Sequence, residues 1–150
     1  MRAVALASLA ALLGGTSLAL AGGGIATEGA ADMDAPARAL LEGSTWVNGD
    51  PAKNCSKAAL SSGVGGFELY VSNIGWPFWI TIGAGRKQDS ALVTALKLIG
   101  DRLSIVFSDK SRSDWHVDSH DRITRSDAGA QALSRCSGPR LSQGLPMPGE

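Results

Sequence analysis

The sequence predicts an all-β fold, a single antiparallel meander barrel or sandwich of about seven to eight short strands with one disulfide. Three observations carry that expectation. Apolar and polar residues alternate with period two in successive short segments. Turn-forming residues between the segments set apolar positions opposite one another. Cys55 and Cys136, the only 2 cysteines of the 150 residues, bracket nearly all of these segments.

The chain opens with a segment that precedes the fold. Residues 1–21 have a basic start at Arg2, an apolar run over residues 3–13 and a small-residue end at Ala19-Leu20-Ala21, the layout of a cleavable secretion signal. Gly14, Gly15, Thr16 and Ser17 interrupt the run before the roughly 18 apolar residues that a membrane helix needs. No membrane span is expected in the mature chain, and the cysteine nearest the cleavage site is Cys55, so a lipid anchor is not expected. Residues 22–39 are rich in Gly, Ala, Asp and Pro and read as a flexible lead-in; residues 138–150, with Pro139, Pro146 and Pro148, read as a flexible tail. That leaves a β domain over residues 40–137. Export to an oxidising compartment, periplasm or extracellular space, makes a Cys55–Cys136 bond the expected state, with two free thiols as the alternative. Closing a loop of about 80 residues contributes roughly 4–5 kcal/mol in the chain-entropy account.

The strands follow in order. The first is expected around Thr45, Trp46 and Val47. Next, Phe67, Leu69 and Val71 alternate with Glu68, Tyr70 and Ser72, and Phe78, Ile80 and Ile82 alternate with Pro77, Trp79 and Thr81. Pairing Val71 with Phe78, Leu69 with Ile80 and Phe67 with Ile82 makes a hairpin whose loop is Asn73, Ile74, Gly75 and Trp76. A second hairpin turns at Gly100-Asp101, which sets Leu98 opposite Leu103, Leu96 opposite Ile105 and Thr94 opposite Phe107. A helix from Ser90 to Ile99, capped by Ser90 and stopped by Gly100, is the competing reading. Across a polar loop at residues 109–113, Phe107 faces Trp115 and Ile105 faces Val117. Residues 126–129 turn between a strand at Ile123 and a last strand ending at Cys136. Strict alternation puts Leu133 and Cys136 on opposite faces, so this last strand contains a bulge or ends early.

The opening Leu41-Glu42-Gly43-Ser44-Thr45-Trp46, a cysteine soon after it, the run of antiparallel strands and the closing Arg135-Cys136 resemble small exported bacterial β-barrel domains of lipocalin-like (calycin-type) shape. In that family a Gly-Xaa-Trp on the first strand places a tryptophan at the closed end of the barrel, under an arginine from the last strand. The resemblance implies those roles for Trp46 and Arg135, although Ser44 and Thr45 both separate Gly43 from Trp46 here. It implies a barrel and carries no activity with it.

Once Arg2 is removed, 14 acidic residues face one basic residue fewer, with no long run of either sign, so nucleic acid and anionic membranes lose their main attraction. The segment Asp114-Trp115-His116-Val117-Asp118-Ser119-His120-Asp121 contains both histidines. Period-two geometry puts Trp115 and Val117 on the core side and Asp114, His116, Asp118 and His120 on the other, where His116 with Asp118, or Asp118 with His120, supply two ligands to a divalent metal. The competing reading is a solvated strand face, and the register offers only Ser104 and Val106 for a third ligand. Tyr70 and Trp79, set opposite one another off the core face, and nearby Trp76 are the candidate contact residues; packing under a second layer explains them equally. No serine stands in a Gly-Xaa-Ser-Xaa-Gly elbow, and Gly63, Gly65, Gly66, Gly83 and Gly85 lack the strand-to-helix setting of a phosphate cradle, so no catalytic residue is assigned.

Three functions emerge. One is a non-enzymatic binding or interaction module for a small ligand or a protein partner, needing no cofactor. Another is an exported inhibitor of a hydrolase, suggested by the lead-in. The third is a metal-binding protein or metal-dependent enzyme using Asp114, His116, Asp118 and His120. With 3 phenylalanines and 4 tryptophans in the chain, a small barrel is expected to be filled rather than hollow.

Overall fold

The computed structural model describes residues 31–127 and 131–146. The secretion signal, the lead-in up to residue 30, Ala128 and Gly129 of the predicted last turn, and residues 147–150 lie outside the described residues. In chain order the elements are β1 (Asp32–Met33), α1 (Ala35–Leu41), β2 (Thr45–Asn48), α2 (Pro51–Asn54), α3 (Lys57–Ser61), β3 (Gly66–Val71), β4 (Pro77–Gly83), β5 (Arg86–Ile99), β6 (Arg102–Phe107), β7 (Arg112–Ser119), β8 (Arg122–Arg125) and β9 (Ala132–Arg135). From β2 onward each strand pairs antiparallel with the next, and β9 pairs back onto β2. The result is a closed eight-stranded barrel, with β1 as one extra strand lying parallel to β5. No helix among the described residues is long and apolar enough to cross a membrane.

The long β5 makes closure possible. Its first half pairs with β4 and its second half with β6. Thr94, which lacks a partner in the ladder, lies where pairing passes from β4 to β6, and Gln88 is a second extra residue within the half paired with β4; such bulges bend a strand. The segment is a strand throughout, which removes the alternative helix from Ser90 to Ile99.

Inward side chains of the barrel, among them Trp46, Leu69, Trp79, Leu96, Ile105, Trp115 and Leu133, pack into one buried cluster. Ala37, Leu40 and Leu41 of α1 join it from the end at which β2 begins. A second buried cluster lies on the outer side of β2, β3 and β4, where Val47, Ile80 and Ile82 meet Leu60 of α3 and Cys136, with Leu141 and Leu145 packed against them. Cys55 and Cys136 are joined, 5.4 Å apart at Cα and 81 residues apart in sequence.

Ordered structure extends further at both ends than composition suggests. Asp32–Met33 and Ala35–Leu41 are strand and helix, so the flexible lead-in of residues 22–39 is corrected from Asp32 onward. The physical reason is apolar content at helical spacing: Ala37, Leu40 and Leu41 are buried, and Met33 packs on the same cluster. The flexible tail of residues 138–150 is corrected likewise over residues 141–146. Leu141 N donates to Thr45 Oγ1 (2.8 Å), Ser142 N donates to Glu68 Oε1 (3.1 Å), and the Ser142 hydroxyl bonds Glu68 Oε2. Glu68 is fully buried, and Thr45 Oγ1 also bonds it, so this carboxylate fastens the tail over the outer cluster.

The registers agree with expectation next to the β5–β6 turn and depart elsewhere. In β5–β6, Leu98 opposes Leu103 and Leu96 opposes Ile105 as predicted, whereas Phe107 opposes Val93 because Thr94 is the extra residue. In β3–β4, Leu69 opposes Trp79 and Glu68 opposes Ile80, one residue off the predicted pairing. There Ser72 N bonds Trp76 O (2.8 Å) around Gly75 at φ +85, a tighter loop than the predicted one. In β6–β7, Trp115 opposes Leu103 rather than Phe107, because Phe107 N already bonds Ser111 O (2.9 Å) across a shorter turn. That shift is an even number of residues, so Trp115 and Val117 still face inward. The last strand ends at Arg135, before Cys136, and Leu133 points into the barrel while Cys136 joins the outer cluster, the opposite faces that alternation assigns them.

Candidate functional site

The three aromatic residues nominated by sequence are dispersed. Trp79 is 8% exposed, inside the barrel and stacked on Phe67 with ring centroids 5.9 Å apart. Tyr70 lies on the other side of the wall, half-buried, with the Arg140 guanidinium 5.5 Å from its ring centre. The expected Tyr70–Trp79 contact face is therefore corrected: the one-residue register difference sends adjacent side chains to opposite faces. Trp76, in the β3–β4 loop, is 37% exposed.

The segment with both histidines arranges its charges in pairs, but only His116 lies on β7; the strand ends at Ser119 and His120 falls in the turn that follows, not on one strand with His116 as the sequence predicts. Arg112 Nε lies 2.8 Å from Asp114 Oδ1, and Arg122 Nε lies 3.5 Å from Asp118 Oδ2, which Thr124 Oγ1 also bonds. His116 has Asp101 at 3.3 Å from Nδ1 and Asp118 at 3.7 Å from Nε2. The two carboxylates address different nitrogens of the ring and so do not share one ion with it. His120 is turned away, its Nε2 in contact with Arg135 Nη1. No group of three or more metal-ligating side chains converges among the described residues, so the joint site of His116, Asp118 and His120 does not assemble. The extra residue Asp118 in the β7–β8 ladder breaks the alternation on which the joint face depends.

At the end of the barrel where β2 begins, Arg135 pairs with Trp46 in the β2–β9 ladder. Its guanidinium carbon lies 6.0 Å from the indole centre, and its Nε donates to Ser44 Oγ at 2.8 Å. Arg125 and Trp115 repeat the arrangement across β7 and β8, also at 6.0 Å. The Nε1 donors of Trp46 and Trp115 are buried and meet no acceptor among the described residues, a cost that the cations over the rings offset in part.

The same end carries the large apolar side chains that sequence reasoning missed. Antiparallel connections alternate between the two ends, so the β3–β4 loop, the β5–β6 turn and α1 share one rim. Ile74 is 75% exposed at the first and Ile99 77% exposed at the second, and Trp76 lies in the same loop as Ile74, one glycine further on. The signal was present, since isoleucine inside an Asn-Ile-Gly loop and next to Gly100-Asp101 is not needed to make either turn.

The fold and site thus define a closed, disulfide-tied antiparallel β-barrel with charged walls, a second layer on one side and an apolar rim. No protein-family model, curated protein or solved structure matches the chain.

Proposed function

We propose that the protein is an exported, non-enzymatic interaction module that holds a protein partner at the barrel rim formed by Ile74, Trp76 and Ile99. The observation that supports this reading is where apolar surface is left in water. Three of the 4 tryptophans, Trp46, Trp79 and Trp115, lie inside the barrel, and the large apolar residues left exposed among the described residues lie on hairpin tips of one rim. Apolar tips on a rigid barrel suit recognition, because they gain burial without reordering the scaffold. The Cys55–Cys136 bond favours an oxidising compartment, periplasm or extracellular space. The Arg135–Trp46 stack beneath α1 favours a lipocalin-like reading in which this is the closed end.

The test is capture of the native partner with the mature protein as bait and an Ile74→Ser, Trp76→Ala double variant as control. The expected result is a loss of about tenfold or more in captured partner, as for interface anchors. Equal capture by the two baits overturns the rim.

A further inference from the structure

We propose that the outer wall of β5, β6 and β7 carries a groove for a small oxyanion with an apolar substituent, a carboxylate or a phosphate monoester, gripped by Arg102 and Arg112 and seated against Ile99. The groove has a volume of about 240 Å³ and is lined by Lys97, Ile99, Arg102, Ser104, Arg112 and Asp114. Strand register brings these residues together from three strands. Lys97, Ser104 and Asp114 form one cross-strand row, Ile99 and Arg102 pair in the next row toward the rim, and Arg112 pairs with Val106 on the far side.

The donors are arranged with capacity to spare. Lys97 Nζ is 2.7 Å from Asp32 Oδ1, and that hydrogen bond raises the Lys97 pKa, so the ammonium stays charged. Arg112 commits its Nε to Asp114 and keeps its terminal nitrogens. Arg102 has no ion-pair partner, and the Ser104 hydroxyl no hydrogen bond, among the described residues. Two guanidinium forks and a hydroxyl around one groove match the planar or tetrahedral oxygens of a carboxylate or phosphate. The Asp114 carboxylate also lines the groove and opposes an anion; its pairing with Arg112 weakens that opposition. Ile99, at 77% exposure, supplies the apolar side. On the opposite wall α3 and the C-terminal segment cover the strands, whereas the groove lies open.

The test is titration of the full mature protein, followed by amide chemical shifts, with octanoate, octyl phosphate, inorganic phosphate and neutral octanol as separate probes. Saturable shifts at Arg102, Ser104 and Arg112 with octanoate or octyl phosphate are expected. Affinity should fall by about tenfold in R102Q, and also with added salt. Inorganic phosphate is expected to bind more weakly than octyl phosphate and octanol not to bind here; octanol binding as tightly as octanoate overturns the anion requirement. Phosphate matching octyl phosphate overturns the seat at Ile99. In D114N, which removes the opposing carboxylate and frees Arg112, affinity should rise several-fold; a fall in that variant, or no saturable shift with either amphiphile in the wild type, overturns the groove.

Discussion

The wall made by β2, β3 and β4 and the wall made by β5, β6 and β7 solve different problems. The first is buried on both sides: Leu69 and Trp79 point into the barrel, while Ile80 and Ile82 point outward under α3 and the C-terminal segment. The second is buried on its inner side only and presents Lys97, Arg102, Ser104 and Asp114 outward. A fully buried Leu, Ile or Val contributes about 1.5–3 kcal/mol, an exposed ion pair about 0–1 kcal/mol. Stability is therefore concentrated in the two-sided wall, and the exterior of the one-sided wall can carry binding groups at little cost to the fold.

The largest expected effect comes from the tie on the two-sided wall. Replacing both Cys55 and Cys136 by serine should cost about 3–5 kcal/mol, read as a lower denaturation midpoint. Hydrogen exchange should quicken first in α3 and in residues 139–146; quickening first in β6 and β7 would break the comparison. Next in size, Ile80→Ala should cost about 2–4 kcal/mol although Ile80 faces away from the barrel interior. Ser104→Ala on the one-sided wall should stay within about 0.5 kcal/mol. Equal costs in paired thermal unfolding experiments would mean that the outer cluster is not a core.

The smallest effect concerns Glu42, whose carboxyl is held below its usual pKa mainly by the hydrogen bond from Arg38, with which it closes the end of α1. A depressed folded-state value means that the contribution is present above the unfolded-state pKa and disappears as pH falls through the folded one. The pair is exposed, so the change should be a few tenths of a kcal/mol, setting in as pH falls through the unfolded-state glutamate pKa of about 4.3 and complete below the depressed folded one. Arg38→Ala should flatten that part of the stability profile, and an unchanged profile would assign the acid sensitivity elsewhere.

The difference between the walls also decides what was legible in the sequence. Alternation locates a strand wherever one face is apolar and the other polar, and in β5–β6 it placed Leu96 against Ile105 and Leu98 against Leu103 correctly. In β3–β4 both faces are buried and carry large apolar residues, so two registers satisfy the pattern and the loop decides, where Ser72 and Gly75 close a tighter turn than the predicted one. The second layer itself was hidden because α3 and residues 141–146 supply only a few leucines, Leu60, Leu141 and Leu145, within otherwise polar stretches. Of the nominated site, Trp76 is exposed, whereas Trp79 and His120 were assigned neighbours that a one-residue shift and a bulge remove. The groove at Arg102 is built from residues that are unremarkable singly and gain meaning only through cross-strand rows.

The pairing of β2 with β9 has a consequence for how the molecule is made. A chain synthesised from its N-terminus must wait for nearly all of its length before Trp46 can meet Arg135. Until then the sheet has two open edges, at β2 and at whichever strand emerged last, and each can recruit another chain. Premature stops anywhere before β9 should therefore yield sticky open sheets rather than smaller folded units, and the last few strands act as the clasp that turns an aggregation hazard into a sealed cylinder.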